Sequence, residues 1–202
     1  MQEFKKAKVS KLSLSHRKPV FGIGINDADY ITNPKINGST KACPAYRKWA
    51  EILRRCYSER YQEKQPTYIG CSACDEWLTF SNFAKWYESN SVCGWELDKD
   101  IKVPGNKIYS PERCLFLPKS INLLLNGCAA RRGDYPKGVN LFKRNGSFIA
   151  KISIDGKRKH LGYFSTPELA RQAYVKAKNA EIMRKCEQYP QFAEYLANHL
   201  EE

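Results

Sequence analysis

Asp98, Lys99 and Asp100 stand side by side at the end of "WELDKDI". Asn106 follows in "KVPGNK" and Asn122 in "KSINLLLNG". Neighbouring carboxylates are hard oxygen donors. With an amide oxygen, water and a phosphate oxygen they can complete the shell of a single Mg²⁺ or Mn²⁺. In that chemistry Asp98 or Asp100 is the ligand, and Asn122 is a second ligand or a brace. The other use of the same acids is to pair with surface lysines. No histidine lies nearby, because the three in the chain are His16, His160 and His199.

A second constellation is made of cysteines. Cys71 and Cys74 form a CxxC, which is half of a structural zinc site. Cys93 and Cys114 are the nearest candidates for the other half, with Cys56 a third option. Their spacing does not repeat a paired CxxC, so buried free thiols are the default reading.

The third feature is charge. The net charge is +13, and it is uneven. Residues 1–20 hold six Lys/Arg against one acid, and residues 135–186 hold twelve against three. The middle is nearly balanced, and the last sixteen residues carry four acids and no Lys/Arg. Two basic blocks of this kind suit a polyanion such as duplex DNA. The acidic end reads as a partner surface or a solubilising tail.

The elements that must position these residues are α+β in pattern. "WELDKDI" alternates as a strand, "KVPGNK" is a loop, "CLFLP" is a second strand, and "KSINLLLNG" is a short helix stopped at Gly127. Upstream, Tyr46, Trp49, Ile52, Leu53, Cys56 and Tyr57 share one face of a helix. Arg47, Lys48, Arg54 and Arg55 fall largely off that face, as a solvated surface or as phosphate contacts. Thr79 or Ser81 caps a helix bearing Phe80, Phe83, Ala84 and Tyr87. Downstream, Asn145-Gly146 and Asp155-Gly156 are hairpin turns that divide the basic block into three antiparallel strands. "STPE" then opens a helix with the stripe Leu169, Ala170, Ala173, Tyr174, Ala177 and Ala180. Alternation puts Asn140 with Phe142, Lys151 with Ser153, and Arg158 with His160, each pair on one face of its strand.

The expected organisation is a basic arm at 1–40, a module at 41–128 and a linker at 129–137. A sheet-plus-helix domain at 138–188 and an acidic tail at 189–202 complete it. No apolar run approaches the ~20 residues that span a bilayer, so no membrane role is expected. The first residues lack the apolar core of an export signal, which places the protein in a cytoplasm with reduced thiols.

Two resemblances add to this reading. The stretches "RCY", "CDEWLTFSNFAKW", "LDKDI", "GNKIYSPERCLF" and "IN" resemble the HNH (ββα-metal) endonucleases of phages and mobile elements. The resemblance implies a host-cytoplasm setting and a homing-type cut or nick. It makes Asp98 the metal carboxylate, Asn106 the residue that orients the base, and Asn122 the residue that serves the metal. The water-activating histidine falls at Lys99. An ordinary lysine, with a pKa of ~10.4, is protonated at pH 7 and takes no proton from water. Losing a general base costs on the order of 10²–10⁴ in rate. The expectation is a scaffold with weak or lost nuclease activity, in which Lys99 serves phosphate as a cation. An active nuclease is one alternative, and an inhibitor of a host protein on the same scaffold is another. The stretches "KGVN", "FIAKI" and "LGYFSTPELARQAY" resemble the AP2/ERF DNA-binding domain. That resemblance implies a sheet, not a helix, in the major groove. It implies contacts from Asn140, Phe142, Lys143, Arg144, Lys151, Ser153, Arg158 and His160.

Overall fold

The computed structural model describes residues 4, 6–36, 38–125 and 135–201. Gly127 and most of the 129–137 linker lie outside the described residues. By its contacts the chain divides into two compact units, residues 1–93 with 97–116, and residues 94–96 with 117–202. The fold is mixed α and β, and among the described residues no helix is long and apolar enough to cross a membrane.

The first unit begins with a lead-in that carries α1 (Lys11–Ser15) and the two-residue strands β1 (Lys35–Ile36) and β2 (Ser39–Thr40). Its composition reads as a loose arm, but specific bonds hold it. The Arg17 guanidinium donates to the carbonyls of Asn26, Ala28 and Tyr30. Ile25 exchanges backbone bonds with Leu78 and Phe80. α2 (Pro44–Tyr57) starts on a proline and buries Trp49, Ile52, Leu53 and Cys56, the face that its spacing predicts. α3 (Glu59–Lys64) and β3 (Ser72–Ala73) follow, and then α4 (Phe80–Asn90). The Trp49 indole donates to the Trp77 carbonyl at 2.6 Å, and its ring meets Phe80 at 5.4 Å. Neither Thr79 nor Ser81 caps α4 with its side chain. Asp27 of the lead-in does so instead, accepting from the Ser81 N–H at 2.9 Å. A short-range reading cannot see a cap that arrives from 54 residues away.

β4 (Trp95–Asp98) pairs with β6 (Leu115–Pro118), and β5 (Ile108–Tyr109) lies in the loop between them, parallel to β3. α5 (Lys119–Leu125) follows β6 and groups by its contacts with the second unit. The strand–loop–strand–helix order is the one that the sequence pattern predicts.

The second unit holds an antiparallel sheet of β7 (Val139–Phe142), β8 (Ser147–Ile154) and β9 (Lys157–Phe164), in that spatial order. α6 (Pro167–Gln188) packs on one face of it, and Val139, Ala150 and Ala170 form the centre of that contact. The Thr166 hydroxyl accepts from the Leu169 N–H, so the helix start is the expected one. Gly138 has φ +86°, and a Cβ there would lie 1.9 Å from the Tyr174 ring, so only glycine allows this approach.

The α6 stripe differs from the pattern of alanines. Leu169 is 46% exposed and Ala180 is exposed, whereas Lys178, Glu181 and Lys185 are buried beside Ala170, Tyr174 and Ile182. Hydropathy excludes charged residues from a core, but these are paired. Lys185 reaches Asp155 at 2.8 Å, and Lys178 meets Glu201. After α6 the acidic end folds back as α7 (Ala193–Ala197). It buries Phe192 and Leu196, and Glu201 also holds Arg171.

Candidate nucleic-acid interface and metal centre

The sheet face turned away from α6 gathers the residues that alternation singles out. Ser153 stands opposite Arg158, and Lys151 stands opposite His160. Asn140 pairs with Ile149, and Phe142 with Ser147. Asn140, Lys151, Ser153, Arg158 and His160 are exposed, and Phe142 is half-buried. An open groove of about 480 Å³ runs over this face, lined among others by Asn140, Phe142, Ile149, Lys151 and Arg158. Lys143 and Arg144 are exposed in the β7–β8 turn.

Among the described residues the charge on this surface is not neutralised locally. Asp155, the acid of the β8–β9 turn, is taken by Arg184 and Lys185 at 2.8 Å each. Those bonds, the Lys185 one foremost, hold its carboxyl below the usual aspartate range. Among the described residues no carboxylate forms an ion pair with Lys143, Arg144, Lys151 or Arg158. A face with several fixed cations and no counter-charge attracts a polyanion.

One residue on this face escapes the sequence pattern. The β8–β9 register slips between Ala150 and Lys151, so that Ala150 faces Gly162 while Lys151 faces His160. The extra residue, Leu161, turns toward the α6 core. Strict alternation puts Tyr163 on the face opposite His160, and the bulge brings their rings to 4.8 Å. Gly162, with φ +142°, supplies the backbone for this step. A glycine inside a strand pattern is the signal that marks such a bulge.

The second candidate site is the end of β4 and its loop. Lys99 is only 8% exposed, and its ammonium donates to the Asp100 carboxylate at 2.7 Å and to the Asn106 carbonyl. Its ammonium points inward, toward these two partners. Asp98 Oδ1 accepts the N–H groups of Asp100 and Ile101 at 2.8 Å each, closing a local turn. Burial pushes the Asp98 carboxyl up, and these two bonds offset only part of the shift. Asn106 is 5% exposed and uses its whole amide. It donates to the carbonyls of Lys99 and Ile108, and accepts from the Ile108 N–H and from Arg113. Asn122 belongs to the second unit, where its amide donates to Glu96 at 2.8 Å.

This donor set fits a divalent ion poorly. Asp98 Oδ1 is committed to two backbone N–H groups, and the Lys99 ammonium lies against Asp100 Oδ1. Among the described residues no three His, Cys, Asp or Glu side chains are grouped as around a metal. The cysteines follow the same rule. Cys71 and Cys114 are buried, Cys74 is partly exposed and Cys93 is exposed. Burial pushes the Cys114 and Cys56 thiols up to about 12. Compared with known proteins, the chain matches no family, no curated protein and no solved structure.

Proposed function

We propose that this chain is a duplex-DNA-binding protein of phage or mobile-element type. Its C-terminal sheet, similar to an AP2/ERF domain, docks on the DNA. Its first module resembles an HNH homing endonuclease with weak or lost nuclease activity. The observation that carries the reading is the cationic face of β7–β9. Lys151, Arg158 and His160 stand in register there, and among the described residues no carboxylate forms an ion pair with the lysine or the arginine. The reading of lost chemistry rests on Lys99, which serves as an internal strut between Asp100 and the Asn106 carbonyl. A residue so placed holds a loop, and no histidine stands nearby in sequence to replace it.

The experiment is a supercoiled-plasmid assay with Mg²⁺ or Mn²⁺, run beside a gel shift on the same plasmid. The expected result is a shifted plasmid that stays supercoiled. Metal-dependent nicking that Asp98→Ala abolishes, with the shift retained, overturns the reading of lost activity. A plasmid that is neither shifted nor nicked overturns the DNA-binding reading itself.

A further inference from the structure

The groove on the sheet face has two chemically distinct ends. Lys151, Ser153 and Arg158 make one end polar and cationic. The other is apolar. Ile149, 5% exposed, forms its floor on the central strand, with Tyr163 directly opposite on β9 and Phe142 on β7. The Phe142 and Tyr163 rings close over it at 5.3 Å, and Tyr163 stays 56% exposed. Asn140 is the cross-strand neighbour of Ile149 on the β7 side. Directly opposed residues of an antiparallel pair have Cβ atoms about 4.5–5.5 Å apart, so a carboxamide stands at the edge of the apolar floor.

Resting on the duplex-DNA reading, we infer that the Phe142 and Tyr163 rings, carried on the Ile149 floor, receive the thymine methyl of an A·T pair in the major groove, while Asn140 reads its adenine. An asparagine amide both donates and accepts, which matches the N7 acceptor and N6 donor of adenine. The 5-methyl of the paired thymine lies on the same major-groove edge, and apolar side chains are its natural contact. The flanking cations Lys151 and Arg158 suit a polyanionic occupant rather than an apolar peptide. A stacking platform for single strands needs free ring faces. Here Tyr163 is tilted by 58° against Phe142 and by 54° against His160, and the floor is an isoleucine.

The test uses the full chain and two duplex polymers of equal charge, poly(dA-dT) and poly(dA-dU), which differ only in the thymine methyl. Fluorescence anisotropy at one fixed salt gives the two affinities. The thymine polymer is expected to bind tighter by about fourfold per methyl contacted, the factor that burying one such carbon carries. Tyr163→Ala, at a largely exposed position, is expected to bring the ratio toward one. Equal affinity of the wild-type chain for both polymers overturns the inference and leaves the DNA reading standing. Binding to neither overturns both. Tighter binding to single-stranded poly(dT) than to either duplex also overturns it, because the face then stacks bases.

Discussion

Asn106→Ala separates a structural loop from a working catalytic site. The Asn106 side chain makes four hydrogen bonds, to Lys99 O at 2.9 Å, Ile108 O at 2.7 Å, Ile108 N at 3.1 Å and Arg113 at 3.0 Å. At ~0.5–1.5 kcal/mol net per bond, and with buried partners left unsatisfied, the loss comes to about 3–4 kcal/mol. Asn106→Asp keeps the accepting oxygen but turns a carboxylate oxygen toward two carbonyls, so it is expected to cost a similar amount. Urea unfolding followed by tryptophan fluorescence measures both. With m of about 1–3 kcal/mol/M, the midpoint falls by at least ~1 M. A midpoint within ~0.2 M of the wild type, together with loss of a metal-dependent nicking activity, refutes the reasoning. Asn106 would then orient a reacting group rather than hold the loop.

Three further outcomes follow from the second unit. Gly162→Ala forces a Cβ into a backbone at φ +142° and within 3.2 Å of Phe164, so about 1–3 kcal/mol of stability is lost in urea unfolding. Glu201→Ala leaves the buried Lys178 and the half-buried Arg171 without their carboxylate, whereas Lys178→Met leaves Glu201 still paired with Arg171. The first variant is expected to lower the midpoint more than the second, and the reverse order contradicts the pairing. The Lys185 bond holds the Asp155 carboxyl low. Burial pushes the Glu201 carboxyl up, but Lys178 and Arg171 outweigh it and leave it low as well. Because their folded pKa values lie below the unfolded ones, their stabilisation is complete above about pH 5 and is lost as pH falls through the folded values. An acid titration by circular dichroism is expected to show a shallower loss in Asp155→Asn/Glu201→Gln than in the wild type.

The parts legible in the sequence are those fixed by neighbours in the chain. Asp155-Gly156, both at positive φ, set the β8–β9 turn, and Thr166 with Pro167 starts α6. From those signals, with Asn145-Gly146 as the β7–β8 turn, the three-stranded sheet, its helix and the common face of Lys151, Ser153, Arg158 and His160 follow. Tyr163 escapes because a one-residue bulge reverses the parity of β9 beyond Leu161. The second half of α6 escapes because Lys178 and Lys185 carry the signature of a solvated face, and only distant acids, Glu201 and Asp155, make their burial tolerable. The same holds for Arg17 and Asp27, whose partners are backbone groups that no periodicity marks. In the 98–106 stretch the residue types are legible but their use is not. Whether an aspartate faces a metal or its own backbone depends on a turn that only the folded loop defines.

The salt dependence of duplex binding tests the central claim most directly. Anisotropy of the full chain with a 30-bp duplex, from about 50 to 300 mM salt, gives the slope of log K against log salt. Four to six sheet cations meeting phosphates give a slope between about −3.6 and −5.4, at roughly −0.9 for each. Arg158→Ala is expected to flatten it by about 0.9 if the arginine meets phosphate, or to cost ~1–3 kcal/mol at constant slope if it reads a base. Lys176→Ala, exposed on α6, is expected to leave both unchanged. A flat salt dependence, or a Lys176→Ala loss as large as that of Arg158→Ala, contradicts the account.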